Sequence, residues 1–115
     1  MDFNQAVKHI SDTDDLFQTK DVEIRGISYK AFNNVPPDLR NLLEYGGSVR
    51  EWEDFIVYEN EKISYSDFCK EVSSLGAYLQ NELAIKKGDK VAIAMRNYPE
   101  YLVILMAVAS IGGIV

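Results

Sequence analysis

Residues 90–115 read KVAIAM, RNYPE, YLVILMAVASIGG and IV, and this run decides the fold. Lys90–Met95 is short, apolar and β-branched or small apart from Lys90, the pattern of a buried strand. Asn97-Tyr98-Pro99-Glu100 is a helix start: Asn97 can cap, Pro99 has no N–H to lose in the first turn, and Glu100 suits the positive end of the helix dipole. Tyr101 to Ile111 then runs without a charge until Gly112-Gly113, where glycine accepts the left-handed conformation that ends helices. Ile114-Val115 reads as the opening of a second strand. Strand, helix, strand is the order of a crossover that sets two parallel strands side by side.

The second strand has two residues here, where strands usually need about five or six. The expectation is therefore the front part of a larger α/β domain, with a truncated βαβ unit at its end. The helix pattern agrees. Leu102, Leu105, Met106 and Ala109 form one apolar stripe, and Ile104, Val108 and Ile111 form another on a different face. A helix apolar all round belongs inside something larger. Each large apolar side chain contributes roughly 1.5–3 kcal/mol when fully covered.

Composition bounds the rest. The chain has 115 residues, 47% of them hydrophobic, and the seven Tyr, five Phe and one Trp exclude a disordered chain. The net charge of −6 is concentrated in the first half: residues 1–64 hold seven basic and thirteen acidic groups, whereas residues 65–115 hold five of each. That balance argues against nucleic acid and anionic membrane as partners, since both need a basic footprint. The uncharged run Tyr101–Val115 is fifteen residues, short of the roughly twenty that span a bilayer. The acidic start Met1-Asp2-Phe3-Asn4 lacks the basic n-region of a signal peptide, and the single cysteine, Cys69, fits a reducing compartment, so a cytoplasmic location is expected. Cys69 sits in a helical pattern beside Phe68 and reads as a packed structural thiol rather than a nucleophile. The one histidine, His9, does not by itself support a metal site.

Upstream of the deciding stretch, Phe3, Val7 and Ile10 suggest a short helix interrupted by Asp12-Thr13-Asp14-Asp15. Val22 to Tyr29 alternates like a half-exposed strand, and Asn33-Asn34-Val35-Pro36-Pro37 is a turn and linker. Asp38 to Tyr45 predicts a helix with Leu39, Leu42 and Leu43 inward, ended by Gly46-Gly47. Phe55–Tyr58 and Lys62–Tyr65 predict a hairpin around Glu59-Asn60-Glu61, with Trp52 anchoring it to the body. Ser64-Tyr65-Ser66-Asp67 has the spacing of a capping box. Phe68, Val72, Leu75, Leu79 and Leu83 then mark an amphipathic helix of about five turns. Gly76 inside it costs roughly 1 kcal/mol against Ala unless a neighbour packs close. Lys86-Lys87-Gly88-Asp89 turns the chain into the strand, with both lysines suited to a helix C-terminus.

In this order and spacing the pieces resemble the AMP-forming adenylating enzymes. Ile63-Ser64-Tyr65-Ser66-Asp67-Phe68 resembles the family's first core motif, Leu-Thr-Tyr-x-Glu-Leu. Lys87-Gly88-Asp89-Lys90-Val91-Ala92-Ile93 resembles its x-Gly-Asp-x-Val-Ala-Ile block, and Arg96–Glu100 its Pro-Asn-Ser-Pro-Glu. Ala109–Val115 resembles the start of Leu-Lys-Ala-Gly-x-Val-Val, with the lysine and alanine replaced. Asn33–Leu43 is similar to the Asn-x-Pro-Pro-x-Leu-Arg run of acyl-CoA synthetases. The resemblance covers residues 33–115, the first 32 being an N-terminal extension. It implies an α/β fold, a β-hairpin and amphipathic helix leading into the start of a large adenylate-forming N-terminal domain. For a full-length parent it implies an acid–thiol ligase that joins a fatty or other carboxylic acid to ATP and passes the acyl group to coenzyme A, with magnesium on the ATP.

The residues present do not show that chemistry. Adenylation needs a phosphate cradle, usually a Ser/Thr/Gly-rich loop with a lysine. Gly46-Gly47-Ser48 runs into Val49-Arg50-Glu51, and Gly112-Gly113 into Ile114-Val115; neither is such a loop. No residue is assigned as catalytic, cofactor-binding or metal-binding, and this chain alone is expected to be inactive and to bind no cofactor. Arg96 and Asn97 follow the C-terminal end of a strand, where α/β folds place ligands. Either Arg96 lines an anion or coenzyme channel, or it is solvated while Asn97 caps the helix; the second reading is preferred. Tyr98 and Tyr101 read as packing residues. The alternative to a ligase fragment is a standalone, non-enzymatic module that binds a partner or itself through its apolar C-terminal helix or open sheet edge.

Overall fold

The computed structural model describes residues 2–115. The chain divides into two units, residues 2–36 and 37–115.

The first unit holds a helix, α1 (Phe3–Thr13), and a hairpin of β1 (Thr19–Ile24) and β2 (Ile27–Phe32). A capping box starts α1: the Gln5 N–H donates to the Asp2 carboxylate at 2.8 Å, and the Asp2 N–H donates to Gln5 Oε1 at 3.0 Å. The expected apolar stripe is on this helix but stays exposed, with Phe3 at 81%. The alternating run Val22–Tyr29, expected as one strand, is instead folded over on itself. Val22 faces Tyr29 and Ile24 faces Ile27 across an antiparallel pair. The two-residue turn Arg25-Gly26 has φ of 52° and 79°. Two successive positive φ values match the twist of the flanking strands, and Gly26 takes its value without a Cβ penalty. Arg-Gly lacks the Asn-Gly or Asp-Gly signature, so alternation alone concealed the reversal.

The second unit is built on three helices: α2 (Leu39–Val49), α3 (Tyr65–Asn81) and α4 (Pro99–Ser110), with a hairpin of β3 (Asp54–Tyr58) and β4 (Glu61–Ser64) between the first two. Its core is Phe68, Val72 and Leu79 from α3 against Val103, Ala107 and Val108 from α4. Leu43, Ile56 and Ile63 pack partly buried around them. The α3 face therefore lies where the spacing put it, except that Leu83 falls beyond the helix and is exposed. Gly76 is where α4 approaches: a Cβ there would lie 3.3 Å from Ile111 Cγ2. That close approach is the compensation a mid-helix glycine requires. On α4 the buried line is Val103, Ala107 and Val108, so only Val108 comes from the two expected stripes. In a uniformly apolar helix the composition carries no signal for which line faces inward.

The glycine pair Gly46-Gly47 does not end α2, which continues to Val49. Both residues sit against α3 instead. A Cβ on Gly46 would meet Tyr65 Cε1 at 3.2 Å, and one on Gly47 would meet Cys69 Sγ at 2.7 Å. These glycines remove side chains from a tight helix crossing, a purpose indistinguishable in sequence from a stop. Only Leu43 of the three expected leucines is partly buried; Leu39 and Leu42 are exposed. Trp52, expected to anchor the hairpin, is 76% exposed. Phe55 performs that role, with its ring centroid 4.5 Å from Tyr65 and 4.7 Å from Phe68.

At the end of the chain the parallel relation holds while the strand does not. Lys90 and Ile114 form a single parallel bridge. The Val91 N–H donates to the Ile114 carbonyl at 2.8 Å, and the Ile114 N–H donates to the Asp89 carbonyl at 2.8 Å. Ala92 to Met95 carries no ladder, and Ala92, Ala94 and Met95 are exposed, which corrects the expectation of a buried strand over Lys90–Met95. A strand is made by its neighbours, and the facing segment offers two residues. The α4 terminus behaves as read. The Gly112 N–H donates to the Ala109 carbonyl at 3.0 Å and the Gly113 N–H to the Val108 carbonyl at 2.9 Å, the paired bonds of a Schellman end, with Gly112 at φ 82°.

Replacing Gly47 by Ala tests the helix crossing. Helix propensity favours Ala by about 1 kcal/mol, whereas overpacking costs about 1–3 kcal/mol. The 2.7 Å approach to Cys69 Sγ makes the second effect the larger. Urea unfolding is expected to show a net loss of about 1 kcal/mol, shrinking or reversing when Gly47→Ala is made in a Cys69→Ala background. An equal loss in both backgrounds would refute the steric account.

Candidate functional site

The motif-bearing residues occupy three places in the second unit: the β4–α3 junction, the turn into the extended segment, and the start of α4. At the first, Ser64 is the N-cap of α3. Its Oγ accepts from the Asp67 N–H at 3.1 Å and donates to the Asp67 carboxylate at 2.9 Å. The expected box is thus half realised: the Asp67 carboxylate returns to the Ser64 hydroxyl, because Asp is one methylene shorter than Glu. The Lys70 ammonium donates to the same carboxylate at 2.9 Å. That bond first, and the Ser64 hydroxyl second, hold the Asp67 carboxyl below its ordinary range. The group is committed to a helix end.

At the second place, Lys86–Asp89 is a turn closed from both sides. The Lys86 N–H donates to the Asp89 carboxylate at 2.7 Å, and the Asp89 N–H donates to the Lys86 carbonyl at 3.0 Å. The lysines do not complement a helix end, since α3 stops at Asn81. At the third place the cap is Tyr98 rather than Asn97, with Pro99 at the first helical position and no side-chain cap bond. Arg96 and Asn97 are exposed. Tyr98 stacks edge-on against Tyr58 at 5.9 Å, which ties the α4 start to the hairpin. Ser64 with Asp67, Asp89, and Arg96 lie at three separate element ends, and the bonds made by the first two groups are local.

A cleft of about 680 Å³ runs between α2 and α3, lined by Arg40, Glu44, Cys69, Lys70, Ser73 and Ser110 among others. Three of its charged side chains are paired: Arg40 Nε donates to Glu44 at 2.9 Å, and Lys70 is held by Asp67, which leaves the Glu51 carboxylate on its rim. The Cys69 thiol is half-buried and donates to the Leu43 carbonyl at 3.7 Å. Burial, and then the Glu44 charge, push its pKa up, which disfavours the reactive thiolate. Among the described residues no buried side-chain nitrogen or oxygen lacks a partner, and no three His, Cys, Asp or Glu side chains gather as a metal site. None of the described helices is long and apolar enough to cross a membrane.

The AMP-binding enzyme family profile matches residues 48–115, and the chain belongs to that family. It is 33% identical over 90 residues to the acetyl-coenzyme A synthetase of Bartonella henselae, covering 77% of this chain and 13% of that protein. It is 34% identical over 61 residues to the human long-chain fatty acid transport protein 6, covering 53% of this chain and 10% of that protein. Among solved structures it resembles NpsA-ThdA, a fused adenylation–PCP di-domain from Klebsiella oxytoca, at TM-score 0.64 and 26% identity over 66% of this chain and 14% of that one. It shares the fold of acetoacetyl-CoA synthetase from Streptomyces lividans at TM-score 0.63 and 23% identity, over 96% of this chain and 18% of that one. The chain thus spans 9–13% of these curated relatives and others like them. These findings identify an AMP-forming, acyl-CoA synthetase-like family and an N-terminal part of its α/β fold.

Two outcomes follow from the caps. Ser64→Ala is expected to cost about 1 kcal/mol in thermal or urea unfolding, with Ser64→Asp recovering most of it. Asp38 caps α2 by accepting from the Asn41 N–H at 2.8 Å, the bond that chiefly lowers its pKa. Folded values of Asp38 and Asp67 below the ordinary 3.8 mean that their stabilisation is complete above that pH and is lost as pH falls through the folded values. An acid titration followed by circular dichroism at 222 nm is expected to show helix loss below pH 3.8 that is shallower in Asp38→Asn, because Asn caps without titrating.

Proposed function

We propose that this chain supplies front scaffold for an AMP-forming ligase that activates a carboxylic acid with ATP and transfers the acyl group to coenzyme A, and that alone it catalyses neither step. The observation that carries the reading is the pairing of the family match over residues 48–115 with the local tasks of the motif residues inside it. Ser64 and Asp67 make a cap, Asp89 a turn and Pro99 the first turn of a helix. Support for an acyl acid comes from the relatives, one an acetyl-coenzyme A synthetase and another a long-chain fatty acid transport protein. Acetate and long-chain fatty acids thus bracket the substrate class.

ATP–pyrophosphate exchange tests the proposal. With acetate, octanoate or palmitate, the purified chain is expected to give background exchange only, and exchange above background that saturates with any of these acids would overturn it. The coding sequence after Val115 tests the parent: a Gly/Ser/Thr-rich phosphate loop is expected in frame, and an immediate stop would favour the second reading.

That second reading is a self-associating, non-enzymatic module. The exposed Met95, Leu102, Ile114 and Val115, next to the unpaired segment Ala92–Met95, favour it. Light scattering at micromolar concentration is expected to show mass above the monomer's 13.0 kDa, and a monomer with amides of residues 101–115 protected from exchange would refute it.

A further inference from the structure

We draw no further inference here: the strongest candidate, the exposed apolar stripe of Phe3, Val7 and Ile10 along α1, is an unpartnered helix face, and nothing in the structure shows what covers it.

Discussion

The contact between α3 and α4 is the constraint on which the second unit depends. All six apolar side chains of its buried core come from these two helices, and Gly76 allows their backbones to approach until Ile111 fills the gap. Seventeen residues separate the helices, and that connection must travel back along α4 before α4 begins. The Lys86–Asp89 turn and the Schellman end at Gly112 bring the two ends of that path together. The parallel bridge between Lys90 and Ile114 then closes the crossover. Remove the helix contact and the bridge has too few hydrogen bonds to persist, since isolated strand pairs are marginal in water.

This arrangement shows several motif residues serving the scaffold. Ser64 and Asp67 are consumed by a helix start, Asp89 by a turn, and Pro99 by the first turn of α4. Such residues are constrained in type because each geometry accepts few side chains. A family pattern built from them reports shape. The adenylate-forming identity is therefore established through scaffold positions.

Much of the fold was legible before the structure. The α3 core face, the β3–β4 hairpin, the Ser64 cap and the end of α4 were read correctly from spacing and from residue types with narrow conformational tolerance. Three of the errors share one cause. Gly46-Gly47 read as a stop, Val22–Tyr29 as a continuous strand, and Trp52 as an anchor, because each has two uses that look the same along the chain. Reading Arg96 as solvated agrees with its exposure, yet the companion assignment of the cap to Asn97 missed by one residue.

The sequence by itself determined the starts of α2 and α3 and the end of α4. Caps, prolines and left-handed glycines act within a few residues, and apolar periodicity is a property of one element. Which line of α4 turns inward, which glycines admit a neighbouring helix, and whether Lys90–Met95 becomes a strand were decided only in three dimensions. Those outcomes belong to pairs of surfaces, and a surface acquires its partner only when distant parts of the chain meet.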